Sequence, residues 1–278
     1  MEPIERVRVR ACEGETEVER SDVLAVEEPL EIRVRGESAQ AATFVTTMRT
    51  PGHDEELAAG LLFAEGVLER RADLLALERP VDPRVAKDLR DNVVIATLVA
   101  AALARANKLV RGTVMGSACG VCGKTSIENV IPGDATPLAA RIRVAPEVLF
   151  ALPGRLREKQ SVFRETGGLH AAGLFTAAGE LRALREDIGR HNATDKLVGS
   201  FLLADALPLS DGVLMVSGRA GFEIVQKAFA AGIPIVASVS APSSLAVELA
   251  EATGLTLVGF LRERRFNVYA HGQRIATH

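Results

Sequence analysis

The chain has 278 residues, of which 47% are hydrophobic and 25% charged, and its formal net charge is -3 at pH 7. This apolar content excludes an intrinsically disordered chain, and no excess of basic residues would draw the protein to nucleic acid or to an anionic membrane. With Phe 10, Tyr 1 and Trp 0, it offers few aromatic platforms for single-stranded nucleic acid. The uncharged stretches 92–104 and 228–247 are too short or too interrupted by Gly and Pro to predict transmembrane helices. The N-terminal segment lacks the basic start and following apolar stretch that would predict export, so we expect a cytoplasmic protein.

The N-terminal part is predicted to mix strands, turns and one helix. Alternating charged and apolar residues predict strands with one solvent-facing side at residues 7–10 and 30–34. Residues 50–52 (Thr-Pro-Gly) predict a turn, and Asp54 is a candidate N-cap for a helix over residues 55–68. This combination predicts an α+β unit.

The middle of the chain is rich in glycine. After apolar segments at 74–77 and 93–98, the Ala-rich stretch 99–106 is compatible with a helix. Residues 112–123 contain four glycines, which predict a mobile loop. We place a domain boundary between residues 133 and 134, where Pro132-Gly133-Asp134 interrupts the chain.

The C-terminal half predicts an α/β domain. A short helix over residues 146–152 is expected to end at Pro153-Gly154. Apolar strands are predicted at 212–216, 233–239 and 255–260, joined by helices over 222–231 and from residues 240–243 through Ala252. This β-α-β-α-β order predicts parallel strands with right-handed crossovers and helices on both faces of the sheet. The fold class is therefore α/β, with a three-layer α/β/α domain over residues 134–278 and a smaller α+β domain over residues 1–133.

The pair Cys119 and Cys122 is the main candidate for reactivity. Two intervening residues let both sulfurs reach one centre, whether a metal ion, a disulfide or a persulfide, while Cys12 stands alone. A structural zinc site needs about four ligands, and the five histidines lack paired spacing, although a Cys2His2 site assembled in space stays open. A thioredoxin-type pair should open a helix, yet glycine follows directly here. Nucleophilic use of one thiolate is favoured over a pair of buried thiols.

The loop Ser217-Gly218-Arg219-Ala220-Gly221 lies between a predicted strand and a predicted helix. Backbone N–H groups at a helix start favour a phosphate, and Arg219 could add a guanidinium fork. The loop matches neither glycine-rich nucleotide fingerprint, so a plain tight turn remains the alternative. Residues 240–244 follow the next strand, and ligands of open α/β sheets gather at such strand ends.

Residues 186–196 pack charges, an imidazole and an amide into one segment. Asn192 or Thr194 could cap a helix over residues 196–204, and His191 could face a ligand or solvent. Residues 166–170 add a second flexible loop and a second imidazole, His170. Zinc deaminase chemistry is disfavoured, because alanines follow His170 where that motif requires Glu, and Cys119 precedes the His.

Taken in order, these segments resemble the formate dehydrogenase accessory sulfurtransferase family over almost the whole chain. The matching motifs are residues 50–54, 57–60, 119–124, 166–172, 186–193, 217–219, 242–244 and 260–262. The resemblance implies a C-terminal domain with the cytidine deaminase-like fold, without deaminase chemistry.

The resemblance also implies the activity and its partners. A cysteine desulfurase would pass sulfur to Cys119 as a persulfide, with Cys122 assisting. That sulfur would reach the molybdenum of a bis(molybdopterin guanine dinucleotide) cofactor, bound as substrate, as formate dehydrogenase activity requires. No intrinsic metal, nucleic acid or membrane partner is expected, and a homodimer is. Cofactor-binding residues implied in this way are Ser217, Gly218, Arg219, Phe260, Leu261, Arg262, Glu263, Arg264, Arg265 and His191.

Two alternatives from other functional classes remain. In the first, the cysteines are incidental and the protein is a non-catalytic chaperone that binds the guanine dinucleotide cofactor. In the second, it is a binding module stabilised by zinc.

Overall fold

The computed structural model describes residues 2–81, 86, 90–112, 136–139 and 141–276, and of residues 110–112 the backbone alone. These residues form three β-sheets and seven α-helices. Strands β1 (Ile4–Glu13) and β2 (Thr16–Ala25) make an antiparallel ribbon. The strand predicted at residues 7–10 lies within β1, which confirms that prediction.

The second sheet has four strands in the order β4-β3-β6-β5. They are β3 (Glu28–Arg35), β4 (Ala42–Arg49), β5 (Leu74–Glu78) and β6 (Val93–Leu98). Leu30, Ile32 and Val34 are buried along β3, while the residues between them are partly exposed, as the alternating pattern predicts. Helices α1 (Asp54–Ala64) and α2 (Ala100–Gly112) contribute to the same core.

The third sheet has six strands in the order β12-β11-β10-β9-β7-β8. They are β7 (His170–Phe175), β8 (Leu181–Asp187), β9 (Val213–Val216), β10 (Ile235–Ser238), β11 (Thr256–Arg262) and β12 (Arg265–Ala270). Strands β9, β10 and β11 are parallel. Helices α6 (Phe222–Ala230) and α7 (Ser244–Thr253) connect them, which confirms the predicted β-α-β-α-β unit.

Helices cover both faces of this sheet. Leu214 and Val236 point into a core shared with α6, α7 and α5 (Arg190–Leu203). Their chain neighbours Val213 and Ile235 point into a second core shared with α3 (Pro146–Lys159). Alternate residues of each strand thus enter opposite cores, and the predicted three-layer α/β/α architecture is confirmed. The finer cytidine deaminase-like topology stays a prediction.

The predicted end of α3 is wrong. The helix continues through Pro153 to Lys159 and is followed directly by α4 (Ser161–Thr166). Leu149, Leu152 and Leu156 are all buried on the sheet. A proline inside a helix costs about 3 kcal/mol, and we attribute the continuation to this leucine stripe, which gains more by burial than the proline costs.

Two other predicted helix starts also differ from the structure. Helix α1 begins at Asp54, but the side chain of Asp54 binds Arg49 and Arg79 and does not cap the helix. Helix α5 begins at Arg190, so Asn192 lies inside it and does not cap it.

Helices α1 and α5 hold the second and third sheets together. A Cβ atom on Gly60 of α1 would lie 1.9 Å from the carbonyl oxygen of Asp195, and one on Gly199 of α5 would lie 1.9 Å from that of Glu56. The two backbones therefore touch directly. The predicted domain boundary after residue 133 lies outside the described residues, and the division into two domains stays a prediction. None of the described helices is long and apolar enough to cross a membrane.

Candidate functional site

The two reactive cysteine candidates, Cys119 and Cys122, lie outside the described residues, and their predicted roles remain predictions. The third cysteine, Cys12, is an exposed free thiol on β1, opposite Glu17 of β2. Among the residues that the structure describes, no three His, Cys, Asp or Glu side chains gather as metal ligands would.

A cleft with a volume of about 840 Å³ opens along one edge of the six-stranded sheet. Ser217 follows β9, Val239 follows β10, and residues 261–263 end β11. His170 begins β7, which runs antiparallel to β9, so its imidazole lies at the same edge. The cleft therefore lies outside the carboxyl ends of three parallel strands, where open α/β sheets bind their ligands.

The second wall of the cleft comes from α3 and the segment after it. Its lining residues there include Phe150, Leu156, Arg157 and Phe163. The Arg157 guanidinium carbon lies 5.8 Å from the centre of the Phe163 ring. The sequence did not predict this wall, because Pro153 indicated the end of the helix and α3 continues to Lys159.

The structure brings four of the predicted cofactor-binding residues to the cleft and leaves the others outside its lining. Ser217, Leu261, Arg262 and Glu263 line it. Arg262 is exposed and donates hydrogen bonds to the carbonyl oxygens of Val239 and Leu261. One nitrogen of its guanidinium therefore binds backbone carbonyl groups at the ends of β10 and β11.

Three further predicted residues near the end of β11 and the start of β12 do not line the cleft: Phe260, Arg264 and Arg265. Phe260 has a left-handed backbone (φ 53°), is 41% exposed, and lines a separate pocket of about 270 Å³ with Arg265 and Asn267. Arg264 and Arg265 are exposed. A left-handed φ is strained for a phenylalanine, and here it occurs at a ring that is turned towards solvent.

The loop after β9 is packed tightly against its neighbours. The Ser217 hydroxyl oxygen accepts a hydrogen bond from the Ala171 amide at 2.8 Å. Gly218 is buried, and a Cβ atom there would lie 3.3 Å from His170 Nδ1 and 3.6 Å from Arg190 Cδ. Glycine at this position therefore lets the loop approach His170 and Arg190, while Arg219 remains exposed.

The loop after β10 lies beside this loop, as the sequence predicts. Ala220 bridges to Pro242, and the Ser243 amide donates to the Ala220 carbonyl oxygen at 3.2 Å. The Ser243 hydroxyl caps α7 by accepting from the Ala246 amide.

The imidazoles of the two polar motifs have different surroundings. His170 is half-buried, and burial together with the positive charge of Arg190 lowers its pKa. We therefore expect a neutral His170 at neutral pH. His191 lies on α5 with its Nδ1 3.0 Å from a carboxylate oxygen of Glu223 on α6.

Residues 50–54 and 186–196 meet in a buried polar cluster formed by Thr50, Asp187, Asn192 and Lys196. Lys196 Nζ lies 2.7 Å from Asp187 Oδ2 and donates to the Thr50 carbonyl oxygen at 2.8 Å. The other Asp187 oxygen accepts from Asn192 Nδ2 at 3.0 Å. Both charged groups are nearly inaccessible to solvent, so this cluster positions β8 and α5 and does not offer free ligand groups.

A second cavity, of about 420 Å³, lies beside this cluster and is lined in part by His53 and Arg185. His53 has a left-handed backbone (φ 58°), and its Nδ1 is 3.3 Å from Glu56. Burial alone would raise the pKa of Glu56, but hydrogen bonds from Arg185 and His53 lower it to about 2. Glu56 is thus an anion that joins the strained turn to β8.

Comparison with known proteins places the chain in a family. The model of the FdhD/NarQ family matches residues 25–276. The chain belongs to the FdhD/NarQ family. The resemblance found in the sequence is therefore confirmed, because the match spans the described cleft, the buried polar cluster and the cysteine pair.

Relatives within the FdhD/NarQ family match along most of their length. The sulfur carrier protein FdhD of Streptomyces coelicolor is 51% identical over 259 residues, 92% of this chain and 90% of that protein. The protein of the same name from Sulfurisphaera tokodaii is 44% identical over 276 residues, 98% of this chain and 99% of that one. The sulfur carrier protein FdhD of Mycobacterium tuberculosis is 47% identical and covers 96% of this chain and 97% of its own.

A solved structure shares the fold. The crystal structure of a Desulfotalea psychrophila protein, described as a formate dehydrogenase accessory protein, superposes with a TM-score of 0.76 over 99% of this chain and 100% of that one. Its sequence is 24% identical, so this likeness supports the mixed α/β fold of the FdhD/NarQ chain and nothing finer.

Proposed function

We propose that this chain is a sulfurtransferase that carries persulfide sulfur from a cysteine desulfurase to the molybdenum of a bis(molybdopterin guanine dinucleotide) cofactor. The observation that carries the proposal is the identity of 44–51% to proteins named sulfur carriers, over at least 90% of both chains. A role in sulfur transfer follows from this relationship. The donor and the acceptor are the finer part of the proposal.

The first step is an exchange between sulfurs. The Cys119 thiolate attacks the outer sulfur of the desulfurase persulfide, a new S–S bond forms on Cys119, and the desulfurase thiolate leaves. Thiolates, not thiols, perform such attacks. Cys122 assists by holding or resolving the carried sulfur, and Lys124 is a nearby cation in the sequence that favours the thiolate.

The cleft at the edge of the six-stranded sheet is our candidate for the acceptor side. Its volume of about 840 Å³ is within the range of small-molecule sites, and apolar walls with a few polar groups are typical of them. Arg157 and Arg262 supply positive charge, and the Ser217 hydroxyl retains a proton to donate. These groups suit the phosphates and sugar of a guanine dinucleotide, bound as substrate.

The remaining elements of the proposal are partners and place. The desulfurase docks at the cysteine segment, the loaded cofactor is delivered to formate dehydrogenase, and the carrier acts as a homodimer in the cytoplasm.

Mass spectrometry after incubation with a desulfurase and free cysteine tests the proposal. We expect the wild-type chain to gain one sulfur atom, Cys119→Ala to lose this gain, and Cys12→Ala, a matched control on the exposed ribbon, to keep it. Formate dehydrogenase activation should fail with Cys119→Ala in the same way.

Two results would contradict the sulfur-carrier role. If Cys119→Ala activates formate dehydrogenase as well as wild type, the non-catalytic chaperone becomes the better account. If purified protein holds stoichiometric zinc through Cys119 and Cys122, the zinc-stabilised binding module becomes the better account.

A further inference from the structure

The ribbon of β1 and β2 has an open edge along β1. The two strands pair over ten residues each without a bulge. Helix α4 packs against β2, whereas β1 makes extensive contact with β2 alone among the described elements. No strand that the structure describes pairs with the outer side of β1, so its main-chain N–H and C=O groups there can pair with another strand. A two-stranded ribbon in water is at best marginally stable, and a third strand with an apolar face adds the stability that it lacks.

Three arginines line one face of β1. Arg6, Arg8 and Arg10 are alternate residues, so their side chains share one face of the ribbon, and all three are exposed. Arg10 pairs with Glu17 of β2 at 3.4 Å. Within the described part of the chain, no ion pair involves Arg6 or Arg8, which lie opposite uncharged residues of β2. Strand β2 therefore neutralises one end of this arginine row and leaves the other end uncompensated.

The opposite face of the ribbon is mainly aliphatic. Val7, Val9 and Ala11 alternate with the arginines along β1 and are partly buried. Val18 lies across from Ala11 on β2 and is 52% exposed. A strand added to the outer side of β1 would therefore meet arginines on one face and aliphatic side chains on the other.

We propose that β1 binds, as a third strand of the ribbon, an extended segment of a partner protein in which acidic and apolar residues alternate. Its acidic side chains lie beside Arg6 and Arg8, and its apolar side chains extend the face formed by Val7 and Val9. A second copy of β1 fits less well, because antiparallel pairing about a two-fold axis normal to the ribbon sets arginine beside arginine. The family model begins at residue 25, the last residue of β2, so this surface goes beyond the sulfur transfer proposed above.

Fluorescence anisotropy of a labelled synthetic peptide, titrated with the full chain, tests this assignment. The probe is a peptide of about eight residues in which glutamate and valine alternate, which is enough to span most of a strand. We expect wild type to bind it, and Arg6→Gln/Arg8→Gln to raise the Kd roughly threefold or more, as the loss of two exposed ion pairs does. Added salt should weaken binding to wild type more than binding to this double variant.

The controls separate strand pairing from unspecific attraction between charges. A peptide with two adjacent prolines at its centre should bind poorly, because one of the two positions faces β1 and proline cannot donate to the ladder. Arg20→Gln removes an arginine from the other face of the ribbon, where it pairs with Glu13 at 3.6 Å, and should bind the probe as wild type does. Arg6→Glu/Arg8→Glu should bind a peptide of alternating lysine and valine in place of the probe.

The inference is overturned if wild type does not bind the glutamate–valine peptide, if Arg6→Gln/Arg8→Gln binds it as wild type does, or if the proline peptide binds equally well. Tighter binding of a single-stranded oligonucleotide than of the peptide would assign the arginine row to nucleic acid. Conversion of a wild-type dimer to a monomer by Arg6→Gln/Arg8→Gln in gel filtration would assign it to a second copy of this chain. Either of these results also overturns the acidic segment as the occupant.

Discussion

Asp187 and Lys196 are the charged pair at the centre of the buried polar cluster. Each makes several contacts: Asp187 also accepts from the amides of Thr50 and Gly189, and Lys196 also donates to the Thr50 carbonyl oxygen. Because 0% and 1% of their side chains are exposed, water cannot take the place of either partner when the other is removed.

Replacing Lys196 by Met should destabilise the fold by about 3–5 kcal/mol, because it leaves a buried carboxylate without its cation. The double variant Asp187→Asn/Lys196→Met should lose less than the sum of the two single variants, since neither buried charge then remains. Urea unfolding of the four proteins measures this coupling.

The surface pair Arg182–Asp211, 2.9 Å apart with Asp211 76% exposed, is the matched control. Its double-variant cycle should give a coupling of about 0–1 kcal/mol. A coupling for Asp187–Lys196 as small as that of the surface pair would refute the importance of the buried cluster.

At the residue scale, the sequence located the polar motifs but not their partners. Asn192 is typical of a helix cap, yet its side chain donates to the Met48 carbonyl oxygen and to Asp187. Asn is used for both roles because both satisfy backbone groups with a short amide. The contact joins residues 144 positions apart, and neither spacing nor composition along one segment could predict it.

At the scale of elements, the crossing of α1 and α5 depends on the absence of two side chains. Leu57 and Leu62 lie on the buried face of α1, and Gly60 lies between them, where glycine is unfavourable by about 1 kcal/mol relative to alanine. The close approach to the Asp195 carbonyl oxygen explains why glycine is present.

Gly60→Ala should destabilise the protein by about 1–3 kcal/mol or more, because a Cβ atom 1.9 Å from a backbone oxygen forces the helices apart. Thermal unfolding measures the effect. Gly154→Ala in α3, where no atom lies within 4 Å of the new Cβ, is the control and should stabilise by about 0.5–1 kcal/mol. Equal effects of the two substitutions would mean that a Cβ atom added at Gly60 does not force α1 and α5 apart.

Elements with repeated patterns were predicted well, and elements that depend on tertiary contact were not. The strands β9, β10 and β11 were predicted from their apolar runs. The ends of the two helices between them were predicted from Gly232 and Gly254, which have left-handed φ angles in the structure. The end of α3 was wrong because proline is a local stop signal, whereas the burial of Leu156 on the sheet is not visible locally.

At the scale of the whole molecule, the turn before α1 is joined to the six-stranded sheet through Glu56. Arg185 on β8 donates two hydrogen bonds to the Glu56 carboxylate, and His53 lies on its other side. The sequence predicted a turn and a helix here, and separately a charged segment over residues 186–196, which begins directly after Arg185. That the two are linked by an ion pair became visible only in three dimensions.

This link should make the stability of the molecule depend on pH in the acid range. The pKa of Glu56 is lowered from its ordinary value of 4.5 to about 2. A carboxylate whose pKa is lower in the folded state stabilises the fold above its unfolded pKa, and this contribution is lost as the pH falls towards the folded value. The window is therefore between about pH 4.5 and about pH 2.

Glu56→Gln should lower the Tm at pH 7, because Arg185 loses its charged partner, with a loss of about 1.5–3 kcal/mol. The Tm difference from wild type should stay constant down to about pH 5 and shrink as the pH falls through the window in which Glu56 becomes protonated. Glu37→Gln, an exposed carboxylate in the β3–β4 turn, should follow wild type throughout. A Tm difference for Glu56→Gln that persists unchanged at pH 2 would show that the carboxylate charge does not stabilise the contact between α1 and the six-stranded sheet.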